Sequence, residues 1–160
     1  QSMAKHGRVP GSWCLPVLFT LLAGCDARSD PLVPEEELPA EVQDFVSLMN
    51  AHRVSVGCGP LSWNAAVAGV AQAHSEDMIA RSYFAHDNPD GASPFDRLRA
   101  AGISYSGAAE NIAYGYPNAA AVLDGWLNSS GHRRNIENCG LSEHGVGLEG
   151  THWTHMFIRP

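Results

Sequence analysis

The sequence predicts an α+β domain, a three-layer α-β-α sandwich with a small central antiparallel sheet, and three observations carry that expectation. Apolar residues recur at spacings of three and four through the chain that follows Pro39, the period of a helix with one buried face. Groups of Gly, Pro, Asn and Asp then cut the helical pattern into separate pieces. The stretch Glu143 to Arg159 reads as two strands around a Glu149-Gly150-Thr151 turn, the second alternating through Trp153 and Phe157. Helices come first and the sheet is laid down last, between them.

Residues 1–24 read as an address rather than as part of the fold. Lys5, His6 and Arg8 precede an apolar run from Trp13 to Ala23. As a helix that run covers only about half of a ~30 Å hydrocarbon core, so it suits a secretory signal better than a membrane span. Its end, Leu22-Ala23-Gly24-Cys25, resembles the lipobox of bacterial lipoproteins, which implies lipidation at Cys25 and a membrane partner reached through an N-terminal lipid anchor. Residues 25–39 carry three Pro and the Glu35-Glu36-Glu37 run, the composition of a solvated, extended tether. The globular domain is expected over residues 40–160.

Within it, Val42, Phe45, Val46 and Met49 mark a first helix from Pro39 to His52, and Gly57, Gly59 and Pro60 end the pattern. Ser62 is placed to cap a second helix whose buried face is Ala66, Val67, Val70, Ala71, His74 and Met78. Tyr83 to Ala92 is a loop dense in turn formers. Ser93-Pro94-Phe95-Asp96 is a helix start with cap, Pro and acid in order, and Gly102 closes that short helix. A short strand is expected over Glu110–Tyr116, and a helix over Asn118–Asn128 with Val122 and Trp126 four apart.

Composition narrows the function classes. Ten basic residues face seventeen acidic ones, for a net charge of −7. From Cys25 onward there are eight Arg, no Lys and all seventeen acids, a balance of −9. Nucleic acid, which needs a basic surface to neutralise phosphates, is excluded as a partner on that ground. With Cys14 in the signal and Cys25 under lipid, Cys58 and Cys139 remain, and a chain bound for an oxidising compartment pairs them as a disulfide.

Some motifs mislead. Gly145-Val146-Gly147-Leu148-Glu149-Gly150 satisfies a dinucleotide pattern, but only ten residues follow it, too few for a strand-helix-strand unit with its acid. Asp87 to Gly91 lacks the acid spacing and closing Glu of a calcium loop. Ser129 and Ser130 have no nucleophile elbow around them.

The histidines are the stronger lead, seven of them from Cys25 onward. His74 falls on an apolar helix face and is expected to bond a carbonyl. His152 and His155, three apart on a strand, point to opposite faces and make no chelating pair. His86 and His132 sit at a loop or helix start among polar and glycine neighbours. Glu110 stands in the otherwise apolar stretch Ala108–Ala113, where a charged acid needs a partner. Two imidazoles and a carboxylate suit a divalent metal or acid–base work. A purely structural hydrogen-bond cluster is the alternative.

Tyr83-Phe84-Ala85-His86-Asp87-Asn88-Pro89-Asp90-Gly91, Ala109-Glu110-Asn111-Ile112-Ala113 and Trp126-Leu127-Asn128-Ser129-Ser130-Gly131-His132-Arg133 together resemble the bacterial branch of the CAP superfamily. This is the SCP-like group, whose relatives include cysteine-rich secretory proteins, plant pathogenesis-related proteins of group one and venom antigens. Cys58-Gly59-Pro60-Leu61 and the Gly145-Val146-Gly147 strand fit it as well. The resemblance implies the α-β-α sandwich, an extracytoplasmic location and a cleft holding His86, Glu110 and His132. The second cleft Glu of the eukaryotic pattern falls here on Ser129. Zinc (Zn2+) is the metal the resemblance implies for some relatives, with none required in others. The expected function is an envelope-anchored or secreted module that binds an extracellular lipid or glycan through this cleft. The alternative is a metal-assisted hydrolase of peptide or cell-wall material, with the same three residues as catalytic groups.

Overall fold

The computed structural model describes residues 37–160. The signal segment, Cys25 and all but the last three residues of the tether lie outside the described residues. Helix α1 (Ala40–Ser55) buries Val42, Phe45 and Met49 at the spacing the sequence shows. It ends where Gly57 adopts a φ of +89°, a conformation side chains rarely take. Strand β1 (Ser62–Trp63) follows, and then helix α2 (Ala65–Ala80). Here the expected cap is corrected: Asn64, not Ser62, accepts the Val67 N–H at 3.1 Å. Ser62 is already engaged in the sheet, its N–H donating to the Ser142 carbonyl at 2.9 Å.

Helix α3 (Pro94–Ala100) opens on a complete capping box between Ser93 and Asp96, as its sequence signature predicts. Strand β2 (Gly107–Ala113) starts and stops three residues earlier than expected, because its register against the last strand runs from Gly107–Arg159 to Ala113–Trp153. Tyr114 therefore lies just past the strand. Helix α4 (Ala119–Leu127) is capped by Asn118. Helix α5 (Ser130–Ile136) follows after a turn, and strands β3 (Glu143–Glu149) and β4 (His152–Arg159) form the expected terminal hairpin.

The sheet runs β1-β3-β4-β2. The three long strands pair antiparallel as expected, whereas β1 adds a two-residue parallel rung to β3 and makes the sheet mixed. Below one face lie α2 and α3, with Val67, Val70, Ala71 and Leu98 packed on Met156 and Ile158. Against the other face, Phe45 of α1 and Trp126 of α4 pack around Val146, Trp153 and Phe157. Side chains of β4 do alternate between the two layers, but Trp153 through Ile158 are all buried, because helices cover both faces.

The glycines of the rejected dinucleotide pattern have a packing role. A Cβ on Gly145 would fall inside the backbone of Ala68, and one on Gly147 inside the backbone of Gln72. Side chains at either position would push α2 off the sheet. Behind α1, the disulfide joins Cys58 to Cys139 as expected. Beside it the buried Arg53 donates to the carbonyls of Gly59, Ile136, Asn138 and Leu141 at 2.9, 2.7, 3.1 and 3.2 Å. Together they fasten the end of α1 to the segment that leads from α5 into β3.

Candidate functional site

The sheet edge at β2 brings His86, Glu110 and His132 to one place from three directions. Glu110 is on β2 itself, with its side chain 2% exposed. His86 comes from the loop after α2, and the chain enters that loop through Ser82 at a φ of +55°, a left-handed turn. Within the loop, Asn88 accepts the N–H groups of Asp90 and Ala92 on its side-chain oxygen. His74, buried as expected, meets the Ala85 carbonyl at 3.0 Å and holds the loop against α2. His132 comes from α5. Asn111, fully buried on β2, donates to the His132 carbonyl at 3.1 Å and accepts from Asn135 at 2.8 Å, which ties α5 to the strand.

Glu110 finds two partners. Its Oε1 accepts from His86 Nδ1 at 2.8 Å, and its Oε2 accepts from Arg97 Nη2 at 2.6 Å. Arg97 also donates to the carbonyls of His86 and Ala92, so one guanidinium fixes both the carboxylate and the loop. Sequence reasoning missed Arg97, although the demand for a partner to a charged acid in apolar surroundings pointed to such a residue. His132 Nδ1 lies 2.9 Å from Ser129 Oγ. The serine that stands where the eukaryotic pattern has Glu therefore orients the second imidazole.

The two rings differ in protonation. The hydrogen bond to Glu110 raises the His86 pKa above the ordinary imidazole value, outweighing partial burial. Burial, reinforced by the nearby charge on His86, lowers that of His132. Half of the His86 side chain is exposed, and its Nε2 makes no hydrogen bond within the domain. The site thus holds one imidazole whose charged form is favoured and one whose charged form is disfavoured.

The implied zinc fits this donor set poorly. With both Nδ1 atoms engaged, two Nε2 atoms remain as metal donors, and the buried Glu110 is held by a hydrogen bond on each of its oxygens. Catalytic zinc takes three protein ligands and structural zinc four. Among the described residues no group of three or more His, Cys, Asp or Glu is arranged to hold a metal ion.

The fold and this cleft define a class, and comparison with known proteins identifies it. The family model of the CAP domain, the cysteine-rich secretory protein family, matches residues 46–154, and the chain belongs to that family. YkwD of Bacillus subtilis (strain 168) is 43% identical over 115 residues, 71% of this chain and 45% of that protein. The membrane protein YlbC of the same organism is 38% identical over 117 residues, 73% of this chain and 34% of its own. The chain thus spans less than half the length of these curated relatives. Among solved structures, an extracellular SCP-domain protein from Bacillus anthracis superposes with a TM-score of 0.73 at 38% identity, over 75% of this chain and 40% of that one. An outer surface protein of Borrelia burgdorferi shares the fold at a TM-score of 0.70 and 18% identity, over 74% of this chain and 92% of that one. These neighbours are extracellular or outer-surface proteins, and among the described residues no helix is long and apolar enough to cross a membrane.

Proposed function

We propose that this chain is a bacterial CAP-domain module of the cell envelope, secreted or held by a lipid anchor at Cys25, that binds an extracellular lipid or glycan through the His86/Glu110/His132 cleft. The observation that carries this reading is the state of Glu110. A carboxylate whose side chain is 2% exposed, and whose two oxygens already hold Arg97 and His86, is poorly placed to meet a water or a metal ion. It serves instead to position His86. Because the carboxylate only accepts, His86 keeps its proton on Nδ1 and offers Nε2 as acceptor when neutral and as donor when charged. Ser129 can donate to or accept from His132 Nδ1, so His132 Nε2 takes either role according to the tautomer the ligand selects. Such a pair suits hydroxyl, amide or ester groups.

Sedimentation of the chain with isolated cell-wall glycan and, separately, with phospholipid vesicles tests the reading. One of the two is expected to retain the protein and to be recovered intact, with retention falling at least ten-fold in His86→Ala/His132→Ala. Retention unchanged in that variant would overturn the assignment of the cleft, and release of fragments would favour the hydrolase.

A further inference from the structure

We propose that Phe84, Tyr114 and His152 form a stacking platform for the sugar ring of a neutral glycan, the polar edge of which is held by His86 and His132. This rests on reading the cleft as a ligand site and names its ligand class. Large aromatic side chains are usually drawn into the interior, yet Phe84 is 43% and Tyr114 59% exposed. They are not scattered singly. Their ring centroids lie 4.8 Å apart at 60°, and Tyr114 stacks on His152 at 5.7 Å and 23°. The rings thus support one another at the surface. His152 Nδ1 is also buried without a hydrogen-bond partner.

The platform is linked to the cleft along the chain in two ways. Phe84 precedes His86 by two residues in the same loop. Tyr114 follows Glu110 by four residues, about 13 Å along an extended chain, and the register places it beyond Ala113–Trp153, toward His152. A ligand engaging both is therefore longer than one ring.

Chemistry selects among ligands of that length. The face of an aromatic ring carries negative charge, which attracts the polarised C–H groups on the flat side of a pyranose while its hydroxyls remain free for hydrogen bonds. His86 and His132 supply those bonds at the far end. A polyanion is disfavoured by a chain of net charge −7. A lipid tail calls for a deep apolar cavity. Two open depressions in the surface each carry charged side chains in their lining, one Arg133, Arg134 and Glu137 beside Cys139, the other Arg99 beside Ile103 and Tyr105.

The test uses the whole chain with β-1,4-linked N-acetylglucosamine tetramer as probe, vesicles of phosphatidylglycerol and phosphatidylcholine as the lipid arm, and NMR of the aromatic and imidazole resonances as readout. Saturable binding of the tetramer is expected, with shifts at Phe84, Tyr114 and His152. Tyr114→Ala should weaken it ten-fold or more while leaving the melting temperature unchanged, and Tyr114→Phe should restore most of the affinity. Tetramer binding that Tyr114→Ala does not weaken but His86→Ala abolishes would overturn the platform and leave the cleft reading intact. Binding to vesicles alone, lost in His86→Ala, would do the same. A tetramer bound through Tyr114 and insensitive to His86→Ala would overturn the proposal as a single joined site. Failure of both probes to bind would overturn both readings.

Discussion

Replacing Arg53 by Ala is expected to destabilise the domain by about 4 kcal/mol, because two buried carbonyls lose their donor at roughly 1–3 kcal/mol each. Arg53 is 1% exposed, and among the described residues no carboxylate forms a salt bridge with it. Its charge is solvated by four main-chain carbonyls contributed by the turn after α1 and by residues 136–141. Truncation would leave the buried bonds to the Ile136 and Leu141 carbonyls without their donor, and open a cavity beside the disulfide. Burial lowers the pKa of the guanidinium, but an arginine stays charged in a protein at neutral pH. Lysine keeps the charge and loses the planar fork, so Arg53→Lys should forfeit about half of the stabilisation. Urea denaturation with the cystine intact measures both variants. A loss below about 1 kcal/mol for Arg53→Ala would show that the disulfide alone fastens this corner.

The second large effect is expected on acidification. His144 Nδ1 and His155 Nε2 meet at 3.0 Å in the core, with Phe45, Trp63, Trp126 and Phe157 packed against the two rings. The outer nitrogens, His144 Nε2 and His155 Nδ1, are buried without partners. Burial, with the Arg53 charge behind it, pushes the His144 pKa down to about 4. Burial and the charges of His144 and Arg53 push that of His155 well below the ordinary value. A histidine depressed in the folded state is protonated more readily in the unfolded chain. Its stabilising effect is therefore complete above pH 6.5, the unfolded value, and is lost as the pH falls toward 4.

The His144 shift alone corresponds to a loss on the order of 3 kcal/mol. His74 and His132, also depressed, act in the same direction. His86, with a raised pKa, acts in the opposite one, adding stability at acid pH that is lost as the pH rises through its folded value. Its half-exposed ring makes that opposing contribution small. Denaturation series between pH 7 and 4 should show the loss, and His144→Leu/His155→Leu should flatten it, since replacing both partners by apolar groups removes the buried proton sites. Equal slopes in the two proteins would contradict the assignment.

What was legible in the sequence divides along physical lines. Helix periodicity, the capping signature at Ser93 and the terminal hairpin are local patterns, and each reappears in the structure. The misplaced cap shows the limit: Ser62 and Asn64 are both good capping residues, and only the pairing of Ser62 with the β3 end of the sheet decides between them. Helix α5 is too short to show a period, so His132 was legible only as lying at a loop or helix start. His86, His132 and Glu110 were legible from their polarity in unusual settings. Arg97, Asn111 and Asn135, which set their geometry, were not, because their roles depend on contacts spanning 13 to 24 residues. The His144–His155 pair was hidden for the same reason: only antiparallel register places the rings together.

A nitrogen-detected NMR titration of the histidines in the whole chain tests the central claim most directly, because the cleft reading depends on Glu110 dividing the two imidazoles. The account predicts that His86 titrates above 6.5 with its proton fixed on Nδ1, that His132 titrates below 6.5, and that Glu110→Gln lowers His86 toward its partner. Two imidazoles titrating together, or a His86 indifferent to Glu110→Gln, would contradict it.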